Sequence, residues 1–132
     1  MSAEQVELLR DMYMRRTVNE FAESLHPEAE MHQAPEIPDT DVYKGREEFA
    51  RGIFRWLEEW ETFRYVPEAI DDLGDRILIR VLLTGRAKAS GVELEQPIWH
   101  VWTFRDEQPF RCEIFFSEPD AREAAGLGPT SA

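Results

Sequence analysis

Apolar residues recur with a period of two, in both phases, through the stretch from Arg76 to Asp106. In RILIRVLLTGR the side chains of Ile77, Ile79, Val81 and Leu83 point one way and those of Leu78, Leu82 and Thr84 the other, because successive side chains leave a strand on opposite faces. After a turn at Ser90 and Gly91, Ile98, Trp102 and Phe104 share one side of a second strand, and Trp99 and Val101 the other. Strands that are apolar on both faces are buried on both. The hairpin therefore requires helices over one face and a further cover over the other.

The N-terminal half reads as helices. Val6, Leu9, Met12 and Tyr13 recur at helical spacing and predict a first helix ending near Arg16. Thr17, three residues before Glu20, is a capping-box signature and opens a second helix with Val18, Phe21, Ala22 and Leu25 on its apolar side, closed by His26 and Pro27. Ala29 to Gln33 predicts a short strand. Pro35 and Pro38 cannot continue ladder pairing and predict a loop to Lys44, kept wet by Glu36, Asp39 and Asp41. A third helix follows Gly45, with Phe49, Ile53, Trp56, Leu57 and Trp60 on one stripe. Phe63 to Ile70 reads as a strand interrupted at Pro67. The last strand alternates from Phe110 to Phe116, before Pro119 stops it and 120–127 turns helically. Helices first and strands afterwards predict one α+β domain over 1–127, about three helices on one curved, mostly antiparallel sheet, with 128–132 as a frayed tail.

Composition narrows the function classes. The 132 residues carry Lys+Arg 15 against Asp+Glu 27, a net charge of -12 that repels phosphate backbones and anionic lipid headgroups, so nucleic-acid and membrane-surface roles are not expected. No apolar run approaches the roughly 18 residues of a membrane span, and the N-terminus lacks the pattern of a signal peptide, which makes a cytoplasmic protein the expectation. The single cysteine, Cys112, has no second thiol and reads as a small buried hydrophobe. No metal-ligand spacing, phosphate-cradling glycine loop or nucleophile elbow is present, so neither metal nor cofactor is expected.

The helix pair, VYKGR (Val42 to Arg46) opening a long helix, the RILIRV strand, SGVELEQPIWHVWTFRD and the closing EAAGL resemble the SnoaL-like proteins of the nuclear transport factor 2 (NTF2-like) superfamily, which also holds ketosteroid isomerase and the polyketide cyclases. The resemblance runs from Val6 to Leu127. It implies a cone with a pocket between the concave face of the sheet and the helices, a small apolar, cyclic or polyketide-like ligand there, and a homodimer through the convex face. By register with that family the pocket is lined by Tyr13, Gln33, Trp56, Trp60, Trp99, Val101, Cys112, Ile114 and Phe116.

Steroid-type isomerases need a carboxylate base and a protonated acid, positions that fall at Gln33 and Trp99, and neither an amide nor an indole can do that work. A cyclase needs one general base. His32 and His100 are the candidates, and His32, flanked by Glu30 and Glu36, is preferred, with Tyr13 donating to the developing oxyanion. His100 alternates with Trp99 and is assigned to the dimer face. Arg80, a charge inside RILIRVLL, requires an acid partner such as Glu95 or Glu113, the preferred reading, or an anionic ligand. Two functions stand side by side: proton transfer of cyclase or isomerase type on a small apolar molecule, and ligand binding in the same pocket without chemistry.

Overall fold

A computed structural model describes residues 2–14, 17–34 and 42–127. The elements run α1 (Ser2–Tyr13), α2 (Val18–Glu23), β1 (Glu30–His32), β2 (Tyr43–Lys44), α3 (Arg46–Leu57), β3 (Trp60–Asp72), β4 (Arg76–Ala87), β5 (Glu93–Arg105), β6 (Gln108–Phe115) and α4 (Glu118–Ala124). The fold is α+β, with a six-stranded sheet in the order β2-β1-β6-β5-β4-β3. Every neighbouring pair is antiparallel except β1 with β6, which makes the sheet mixed.

The long hairpin is where the alternation placed it, with Ile77 opposite Trp102, Ile79 opposite His100 and Val81 opposite Ile98. These residues share the inner face, and Ile77, Ile79, Val81, Leu83, Ile98 and Trp102 form its core with Leu9 and Met12 of α1, Ala22 of α2 and Phe49 of α3. Thr17 caps α2: its Oγ1 accepts from the backbone N–H of Glu20 at 3.1 Å, and its hydroxyl donates to the Glu20 carboxylate at 3.0 Å. The guanidinium of Arg46 donates twice to the carbonyl of Leu25, at 3.2 and 2.5 Å, and so fixes the start of α3 to the segment that follows α2. Gly45 makes the turn into α3 at φ +93°, a conformation other residues adopt only with strain.

Several expectations need correction. The end of α1 near Arg16, the loop over 35–41 and the tail over 128–132 lie outside the described residues; Tyr43 and Lys44, read as loop, pair with β1 as a strand. β3 is longer than Phe63 to Ile70, because an edge strand tolerates the shift of register at Pro67 that a central strand would not. Part of the outer face of the hairpin is covered by the chain itself. α4 seals Leu78, Trp99 and Val101 beneath Ala121 and Ala125, with Leu73, Phe115, Ala124 and Leu127 around them. Arg80 stands half-exposed on that face and pairs with Glu68 at 3.7 Å, not with Glu95 or Glu113. A bulge between Pro67 and Ala69 sets Glu68 beside it, which sequence spacing does not reveal.

Candidate functional site

α1, α2 and α3 do not close completely on the inner face. They leave a cavity of about 400 Å³ whose wall includes Met12 and Tyr13 from α1, Phe21 from α2, Phe49 and Trp56 from α3, and His100, Trp102 and Cys112 from the sheet. That volume lies within the roughly 300–1,000 Å³ typical of small-molecule sites.

Of the residues expected in the pocket, Tyr13, Gln33, Trp56, Cys112, Ile114 and Phe116 line it. Trp99 and Val101 do not: they leave β5 on the opposite face and are buried under α4. Strict alternation then turns His100 inward, so the residue assigned to a dimer face is part of the cavity wall. Trp60 stands just outside the wall, 5.6 Å from the Trp56 ring and against Gly85, where an added Cβ would sit 2.8 Å from its indole and 2.5 Å from the carbonyl of Thr62. His32 is not brought together with Tyr13. Met31 carries the inward position of β1, and alternation sends His32 to the other face, where Nε2 lies 3.0 Å from the carboxylate of Glu30. That imidazole and the Arg111 guanidinium hold Glu30 below its ordinary carboxylate range, the hydrogen bond from His32 being the larger cause.

Three polar side chains of the wall form a hydrogen-bonded chain, beside Thr17, Gln33, Arg64 and Tyr65, which also line it. Trp102 Nε1–H donates to the Tyr13 hydroxyl oxygen at 2.9 Å, and that oxygen lies 2.5 Å from His100 Nδ1. Burial alone pushes the His100 pKa down to about 3, so the ring is neutral near pH 7. Burial, reinforced by Cys112, raises the pKa of Tyr13, so the phenol keeps its proton. An indole can only donate, so the Tyr13 oxygen accepts from Trp102, and its own proton goes to His100 Nδ1 when the imidazole is the Nε2–H tautomer. In that tautomer the imidazole hydrogen resides on Nε2. This nitrogen is sealed from water and has no hydrogen-bond partner among the described residues. The arrangement offers a neutral N–H donor strengthened by the two bonds behind it. In that tautomer it does not offer a base, because the lone pair of the imidazole is engaged by Tyr13.

The rest of the wall is uncharged except Arg64, and among the described lining residues there is no carboxylate. Burial also raises the Cys112 thiol and the Tyr65 phenol, so both stay protonated. No group of three or more His, Cys, Asp or Glu among the described residues is placed to hold a metal ion. No helix there is long and apolar enough to cross a membrane.

Comparison with known proteins agrees with this fold. An NTF2-like protein from Burkholderia thailandensis superposes with a TM-score of 0.76 at 23% identity, covering 84% of this chain and 88% of that one. A putative SnoaL-like polyketide cyclase from Jannaschia superposes at 0.71 with 18% identity over 86% and 83% of the two chains. TerC, co-crystallised with polyporic acid, does so at 0.74 with 17% identity over 92% and 98%. At these identities the likeness shows the fold. No curated protein sequence matches the chain. The SnoaL-like domain family model matches residues 6–111, most of the chain and every element from α1 to the start of β6. The chain belongs to the SnoaL-like domain family.

Proposed function

We propose that the protein binds a small, largely apolar cyclic molecule of polyketide-like kind in the cavity, with an oxygen of that molecule accepting a hydrogen bond from His100 Nε2–H. The observation that carries this reading is the unpartnered His100 nitrogen in a largely apolar wall. A buried donor left without an acceptor costs roughly 1–3 kcal/mol, and a ligand oxygen would remove that cost. The similarity to TerC with its bound polyporic acid supports a small organic ligand in a fold of this kind.

Binding without chemistry accounts for every described lining residue. Proton transfer of cyclase or isomerase type needs a base, and the described wall supplies none: no carboxylate lines it, and His32, expected to serve, points away. A homodimer remains part of the proposal, and it would use what α4 leaves open on the outer face, where Leu82 and Pro97 are half-buried.

Titration with 1-tetralone, a bicyclic ketone, against tetralin, the same skeleton without oxygen, tests the reading by tryptophan fluorescence. Both should bind, the ketone about tenfold more tightly, the size expected of one hydrogen bond in a dry site. No binding of either compound would contradict the pocket; equal binding of the two would contradict the role of His100.

A further inference from the structure

Beyond the chain of Tyr13, His100 and Trp102, the cavity wall holds polar side chains with different commitments. Thr17 is engaged in capping α2, and Arg64 is exposed on the edge strand β3. Gln33 and Tyr65 remain. Tyr65 lies opposite Leu83, a core residue of β4, and so shares the inner face of the sheet. Its ring stands edge-on to Phe63 at 4.6 Å and to His100 at 5.3 Å. The Tyr65 hydroxyl makes no hydrogen bond among the described residues, yet, unlike His100 Nε2, it is not sealed off by its surroundings. A hydroxyl of that kind in a cavity wall is open to whatever fills the cavity.

This hydroxyl differs in kind from the polar groups beside it. An imidazole N–H only donates, and the Tyr13 hydroxyl is already engaged by both Trp102 and His100. A phenol without a partner can donate and accept at once. It also keeps its proton, because burial and, after it, the nearby Cys112 thiol raise the Tyr65 pKa. Tyr65 in turn contributes to the raised pKa of Tyr13, so the three groups lie near one another across α1, β3 and β6. A ligand hydroxyl beside Tyr65 gains a hydrogen bond in an enclosed, largely apolar space, whereas bare hydrocarbon there leaves the phenol unpaired. We propose that Tyr65 is a specificity-determining residue that takes a hydroxyl group of the ligand, and that the ligand is a hydroxyketone whose hydroxyl is borne close to the carbonyl held by His100. The closeness follows from the contact between the Tyr65 and His100 rings.

This inference rests on the pocket reading above and is tested apart from it with the separate enantiomers of 2-hydroxy-1-tetralone, beside 1-tetralone and tetralin. Wild-type protein should bind the better enantiomer about tenfold more tightly than tetralone, the size of one hydrogen bond. Tyr65→Phe, which removes the hydroxyl and keeps the ring against Phe63 and His100, should abolish that margin, while the preference for tetralone over tetralin stays within about threefold of wild type. A check that needs no variant is 2-fluoro-1-tetralone, in which fluorine fills the place of the hydroxyl but cannot donate: it should bind no more tightly than tetralone. A hydroxyketone no tighter than tetralone, a fluoroketone as tight as the hydroxyketone, or a margin that survives Tyr65→Phe, as it would if Gln33 held the hydroxyl, would overturn the role of Tyr65 and leave the pocket reading intact. Failure of all these compounds to bind would overturn both.

Discussion

Trp102→Ala is expected to destabilise the protein by about 3–5 kcal/mol, the range for deleting a large buried aromatic side chain. Trp102 is 1% exposed and lies under all three N-terminal helices. Its indole stacks on Phe49 of α3 at 6.2 Å and 17°, meets Phe21 of α2 at 6.2 Å, and donates to Tyr13 of α1 at 2.9 Å. One side chain thus joins each helix to the sheet, and removing it leaves both a void and a Tyr13 hydroxyl without its donor. Against a total of about 5–15 kcal/mol for a domain of this size, that brings the protein close to unfolding. Urea denaturation at pH 7 measures it; a loss below about 1 kcal/mol would mean that the helices do not rest on this face.

The second large effect is on acid stability. His100 titrates at its ordinary value of 6.5 in the unfolded chain and at about 3 in the folded protein. Between those values the unfolded chain binds more protons, so the contribution is fully present above pH 6.5 and is lost as pH falls toward 3. The complete loss is on the order of 5 kcal/mol, at about 1.36 kcal/mol per pKa unit. Glu30, held below its usual range, also loses stability in acid, but wild-type protein and a His100 variant share that response. His100→Phe should therefore be less stable than wild type at pH 7, where Tyr13 loses its acceptor, and clearly less sensitive between pH 7 and 4. Parallel urea midpoints across that window for the two proteins would show instead that the imidazole titrates as if exposed.

The layers and the central hairpin were legible in the sequence because period-two alternation survives whatever packs on it. The Thr17 capping box likewise fixed the start of α2 from local chemistry alone. What alternation cannot give is which face looks inward. Ile98, Trp102 and Phe104 form one stripe, Trp99 and Val101 the other, and both are apolar enough for a core. The deciding clue was the C-terminal segment, whose small residues Ala121 and Ala125 let α4 lie flat on Leu78, Trp99 and Val101. That short helix covers part of the face expected to meet a twin subunit, and with Trp99 beneath it alternation sends His100 into the cavity. His32 was misplaced for a related reason, since one residue along a strand is enough to change faces. The Tyr13, His100 and Trp102 chain joins positions 87 and 89 residues apart, and no local pattern encodes such a meeting.

The central claim is a neutral His100 that accepts from Tyr13 at Nδ1 and keeps its hydrogen on Nε2 for a ligand. Nitrogen-15 NMR of histidine-labelled protein at pH 5, read through couplings to the ring carbon hydrogens, tests it most directly. The account predicts that His100 shows one pyridine-type nitrogen at Nδ1 and one pyrrole-type nitrogen at Nε2. An imidazolium at that pH, or a proton on Nδ1, would contradict it.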